Sequence, residues 1–147
     1  VAKFTTKVFS KVKSIPQPDT AAIISVPVDV DFPTVAPAAN DIVELATLPP
    51  GVTLQDYSMH FPDIDSNGAP TAAWSFGVLN AGSTDLATVY ATGLTAGQSN
   101  AVVRNPNTDC AQADSTVERR LGLKLTTAAA TWGGAGKTGQ VLLELRG

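Results

Sequence analysis

From Ile24 the chain alternates strictly: Ile24, Val26, Val28, Val30 and Phe32 fall on one parity, Ser25, Pro27, Asp29 and Asp31 on the other. A period of two with one polar face predicts a half-buried strand. Pro27 has no N–H to offer a neighbour, so this strand belongs at the edge of a sheet. A second strand is read over Asp41 to Leu48, closed by the turn signal Pro49-Pro50-Gly51. The next run breaks parity, since Val52 and Leu54 share one face while Tyr57, Met59 and Phe61 fall on the other. One extra residue near Gln55 or Asp56, a β-bulge, returns all five to the core.

Asp63 to Gly68 reads as the loop of a hairpin, with Asn67-Gly68 supplying positive φ, and Ala72, Trp74, Phe76 and Val78 as the inner face of the partner strand. Thr84 to Ala91 predicts the one helical turn, with Asp85 near its start and Gly93 past its end. Farther on, Val117, Leu121, Leu123 and Leu125 alternate against Glu118, Arg120, Gly122 and Lys124, and Arg119 is out of step. Gly133 to Gly139 reads as a flexible turn before a closing strand, Gln140 to Arg146, whose inner face is Val141, Leu143 and Leu145.

About seven or eight strands joined by turns are what a two-sheet sandwich requires, and the fold class expected is all-β: a jelly-roll-like sandwich of antiparallel strands with an extended N-terminal arm. Composition agrees. Of 147 residues, 44% are hydrophobic and 16% charged, so there is enough apolar surface for one core, with little charge to spread over the outside. No run reaches the length of a membrane-spanning helix, and no leader pattern opens the sequence, which predicts a soluble protein without contact with a membrane. The single Cys110 excludes an internal disulfide and suits a reducing cytoplasm.

Charge divides the chain into an arm and a body. Residues 1–13 carry +4 from Lys3, Lys7, Lys11 and Lys13, residues 14–103 carry -9 with no Lys or Arg, and the remainder carries +2. Pro16 and Pro18 favour an extended linker, so residues 1–20 are expected to form a basic arm and residues 21–147 the single sandwich domain. Four charges give only weak, salt-sensitive contact with phosphate, and the acidic body repels it, so no nucleic-acid partner is expected. An acidic protein surface, including a neighbouring copy's own body, suits the arm better. Its candidate contact residues are Lys3, Phe4, Lys7, Phe9, Lys11 and Lys13.

Three motifs have a chemical reading, and each is incomplete. Asp63-Ile-Asp65-Ser-Asn67-Gly68 matches the front of a calcium loop, but Trp74 stands where the bidentate acid is due. Thr131 to Thr138 resembles a phosphate-binding loop, but Thr131 replaces the first Gly, and a strand follows where a helix is required. His60 is the only histidine, and its parity places it on the solvent face of a strand. Asp29/Asp31 and Asp63/Asp65 read as solubilising charges. The expectation is a non-enzymatic protein without cofactor or metal.

The stretch from Asp41 to the C-terminus resembles the head decoration, or cement, proteins of tailed bacteriophages. The resemblance rests on Ile42-Val-Glu-Leu, Leu48-Pro-Pro-Gly-Val, Trp74-Ser-Phe-Gly-Val-Leu-Asn, Ala91-Thr-Gly-Leu-Thr-Ala-Gly-Gln, Leu123-Lys-Leu-Thr-Thr-Ala-Ala-Ala-Thr and Val141-Leu-Leu-Glu-Leu. It implies a jelly-roll-like domain on the outer surface of an assembled virion capsid, a homotrimer that braces major capsid protein subunits. It supplies no catalytic residues. Two other classes are built from similar strands at similarly low charge. One is a carbohydrate- or receptor-binding sandwich, for which Trp132 is the free aromatic, and the other is a tail or fibre subunit.

Overall fold

A computed structural model describes residues 2–11 and 22–147. Their elements, in chain order, are β1 (Lys3–Thr5), β2 (Ile23–Asp31), β3 (Ile42–Leu48), β4 (Thr53–His60), β5 (Ala73–Leu79), β6 (Leu86–Leu94), β7 (Val102–Arg104), a single helical turn α1 (Asp109–Gln112), β8 (Arg119–Thr127) and β9 (Thr138–Arg146). They form two sheets, ordered β1-β3-β8-β5-β6 and β2-β9-β4-β7.

Pairing is antiparallel for β2 with β9, β3 with β8, β4 with β7 and β5 with β6. Residues 23 to 146 are therefore one long antiparallel ribbon, with β5 and β6 at its tip, wound so that successive pairs alternate between sheets. That is the jelly-roll connectivity the alternation predicts. The described residues contain nine strands, and the extra one, β1, joins parallel to β3, with Lys3 opposite Ile42 and Thr5 opposite Glu44.

The core lies between the sheets and follows the parity of the sequence. Val26, Val28, Val30 and Phe32 are buried along β2, which occupies a sheet edge as Pro27 requires. In β4 the register shifts between Leu54 and Asp56, so Gln55 is the bulged residue, and Val52, Leu54, Tyr57, Met59 and Phe61 are all buried. Burying each such side chain stabilises the fold by about 1.5–3 kcal/mol. The aromatic rings interlock: Phe32 meets Phe61 edge-on at 5.1 Å, and Phe61 meets Trp74 at 5.8 Å.

Several local expectations are corrected. Residues 84–91 are not helical, because Leu86 to Leu94 pair with β5, and the backbone contact is close enough that a Cβ on Gly77 would lie 2.0 Å from the Thr88 carbonyl oxygen. Local Ala and Thr content is overridden there by sheet pairing. The loop after β4 is not a hairpin turn, since β4 and β5 belong to different sheets, and neither Asn67 nor Gly68 has positive φ. Val117 lies outside the strand and is exposed, while Arg119 takes the inward position at the start of β8 and is buried.

Candidate interaction surfaces

The basic segment is seated on the body at one edge of the five-stranded sheet. Asp41 fastens its start, accepting the Ala2 N–H at 3.1 Å while its other oxygen accepts from Ala38 at 2.8 Å. The Thr5 hydroxyl donates to Glu44 Oε1 at 2.7 Å, and the Thr6 hydroxyl donates to the Leu45 carbonyl. Thr6 and Val8 are buried. Residues 7–11 then close a turn through Ser10 N–H to Thr6 O and Lys11 N–H to Val8 O, with Lys11 at φ 63°. The consequence is a division of faces: Lys3, Lys7 and Lys11 are exposed, Phe4 and Phe9 half-buried. Lys13, Pro16 and Pro18 lie outside the described residues.

The opposite edge of that sheet has the opposite sign. There β6 borders α1, within residues 105–118, a segment that runs from β7 across to the start of β8 and carries the exposed acids Asp109, Asp114 and Glu118 but no Lys, Arg or His. Asn107 ties the segment to the sheet by donating to the Tyr90 carbonyl at 3.0 Å. A groove of about 310 Å³ runs along it, lined by Val78, Thr88, Tyr90, Val117 and Arg119 with Asp114 and Glu118. Arg119 is only 4% exposed. Its Nε donates to Val117 O at 3.3 Å and Nη2 to Val52 O, while Nη1 has no acceptor among the described residues. That nitrogen is closed off from solvent, and the Tyr90 hydroxyl interacts with the same guanidinium.

The loop read as a calcium or hairpin motif does something else. Asp65 is buried, and its carboxylate binds two loops together: Oδ2 accepts N–H from Thr71 (2.7 Å), Ala130 (2.9 Å) and Ala72 (3.1 Å), and Oδ1 accepts from Thr131 (3.0 Å) and Asn67 (3.4 Å). Burial alone would raise its pKa; the N–H groups of Thr131, Ala130, Thr71 and Ala72 overrule that and hold it well below the usual carboxylate range. Lys137, the phosphate-loop lysine of the sequence, donates to the Asp63 carbonyl at 2.6 Å, and the chain then enters β9.

The remaining candidates are structural in the same sense. The His60 ring nitrogen Nε2 hydrogen-bonds Ser58 Oγ at 2.8 Å on half-buried β4. Trp132 is packed rather than free: its ring lies edge-on to Phe32 at 6.0 Å, and a Cβ on Gly134 would strike it at 2.5 Å. Trp132 is half-buried, so the aromatic singled out for the carbohydrate-binding alternative offers only part of its ring. Cys110 is fully buried, and burial, with the Asp56 charge, pushes its thiol up to about 11, which leaves it protonated and unreactive near neutrality. No group of three or more His, Cys, Asp or Glu side chains placed to hold a metal occurs among the described residues. No helix among them is long and apolar enough to cross a membrane.

No family model and no curated protein matches the chain. Two solved structures do. A chain of the capsid of Ralstonia phage GP4 is 28% identical, with a TM-score of 0.84 over 99% of this chain and 97% of that one. A chain of the cyanophage Pam1 capsid asymmetric unit shares the fold at 21% identity, with a TM-score of 0.62 over 90% and 89%. The likeness takes in the N-terminal residues as well as the stretch from Asp41 onward, and it relates this chain to structural proteins found in phage capsids.

Proposed function

We propose that this protein is a head decoration protein of a tailed bacteriophage, a homotrimer that binds the outer surface of the assembled shell and braces major capsid subunits. The observation that carries the reading is the end-to-end likeness, at 28% identity, to a chain of a phage capsid. The match covers 99% of this chain and 97% of the matched one, so it takes in both sheets. The exposed lysines of residues 2–11 fit docking to an acidic protein surface. The work done is multivalent: a rigid two-layered body touching several neighbours converts modest contacts into a large gain for the shell.

Purified protein added to shells that lack it should cosediment to saturation, appear as density on the head in particle images, and raise the temperature at which the shells release DNA. Deleting the arm is a poor probe, because Thr6 and Val8 are buried and β1 would go with it. Reversing charge at exposed positions, K3E/K7E/K11E, should leave the fold intact and lower occupancy at equal concentration. Density confined to the tail, or folded protein that never binds shells, would overturn the proposal.

A further inference from the structure

The five-stranded sheet is flanked by two surfaces of opposite charge that are left unpaired within one molecule. Residues 2–11 at the β1 edge contain Lys3, Lys7 and Lys11 and no acid; residues 105–118 contain Asp109, Asp114 and Glu118 and no base. All six are exposed, and no ion pair engages them among the described residues. The acids are spread along the segment that runs from β7 to the start of β8, with Asp109 on α1 nearest β6 and Glu118 two strands from β1, and among the described residues the three lysines pair with none of them. The acidic surface also has a shaped feature, the groove of Val78, Tyr90 and Val117. The basic edge has a matching projection, the turn of residues 7–11 with half-buried Phe9 between Lys7 and Lys11.

We propose that the occupant of this groove is a second copy of the chain: the turn at Lys7 to Lys11 of one molecule docks against residues 105–118 of the next. Phe9 enters the apolar part of the groove, and the lysines face Asp109, Asp114 and Glu118. The contact joins two different surfaces, so it is heterologous and repeats head to tail until a ring closes. This rests on the decoration reading only in supposing that copies act together; it specifies how they meet.

The test is the association state in free solution, without shells, by sedimentation velocity and light scattering at about 50 mM and about 500 mM salt. Wild type should form a closed oligomer that weakens at the higher salt, because the paired charges are solvent-accessible. K3E/K7E/K11E and D109K/D114K/E118K should each weaken association at least tenfold, and so should Val117→Glu, which alters an exposed groove residue. Carrying both triple reversals in one chain should restore it, a result that simple misfolding cannot give. Thermal melts of every variant separate loss of contact from loss of fold. The inference is overturned if wild type is monomeric up to about 100 µM, if either triple reversal leaves association unchanged, or if the combined variant, folded, stays apart. A monomer that nevertheless saturates shells would sink this interface while leaving the decoration reading standing.

Discussion

Asp65 and Arg119 are both buried charges at opposite ends of β8: Arg119 opens the strand, and Asp65 is bonded to Ala130 and Thr131 just past its close. Asp65 accepts five backbone N–H bonds from two loops and leaves neither oxygen idle. Arg119 donates to two carbonyls and interacts with the Tyr90 hydroxyl, but Nη1 finds no acceptor of its own among the described residues. A buried charge costs several kcal/mol unless its hydrogen bonds are met. The carboxylate of Asp65 is thus fully satisfied by its own chain, and the guanidinium of Arg119 only in part.

The largest effect should come from Asp65. Asp65→Ala leaves several buried N–H groups without an acceptor, each worth about 1–3 kcal/mol, and should cost at least about 3 kcal/mol in a denaturant titration. The pH dependence has a definite sign. The folded carboxyl titrates below the ordinary value of 3.8, so its contribution is present in full above that value and drains away as pH falls toward the folded pKa. Wild type should therefore lose stability on acidification below about pH 4 more steeply than Asp65→Asn does. A loss under about 1 kcal/mol in Asp65→Ala would mean that the two loops hold themselves, and the contrast with Arg119 would lose its basis.

Arg119→Met should have a smaller effect. The variant gives up two donors but also releases a cation from a buried position, and such exchanges for apolar side chains of similar size are often neutral. Stability of the isolated monomer should stay within about 1 kcal/mol of wild type, judged by the same titration. A penalty as large as that of Asp65→Ala would show Arg119 to be as much a structural keystone as Asp65, and the contrast between a fully and a partly satisfied charge would fail.

What the sequence reveals of these two ends depends on where the partners lie. Strands β2 and β9 are legible because alternation is a local signal. The bulge at Gln55 is legible because apolar residues on both sides of a parity break can share one face only if a residue is inserted between them. Strand β6 is misread because Thr, Ala and Gly leave the local preference open, and pairing with β5 decides it. Asp65 resembles half a calcium loop because sequence displays its acidic neighbours, whereas its partners include the backbone N–H of Ala130 and Thr131, more than sixty residues away. Arg119 did leave a trace, as the one residue breaking the parity of its strand. The lysines of residues 2–11 stand out by charge alone, but that Thr6 and Val8 bury the same segment follows from contacts with β3 that no pattern announces.

The smallest effect should come from Lys124, which holds the tip of the ribbon against the outer face of the five-stranded sheet. Its Nζ lies 2.8 Å from Asp85 Oδ1, with side chains 23% and 55% exposed. Arg120 assists from the same strand, donating to Ser83 Oγ at 3.2 Å and to the Asn80 carbonyl. An ion pair this open to water gains little, because solvent screens the charges and two flexible side chains must be held still. Lys124→Ala should therefore shift stability by no more than about 0.5 kcal/mol, and raising the salt should affect wild type and variant alike. A loss approaching that of Asp65→Ala would mean that burial is not what separates strong from weak charges here, and the ranking of all three sites would have to be rebuilt on the mechanics of the loops they hold.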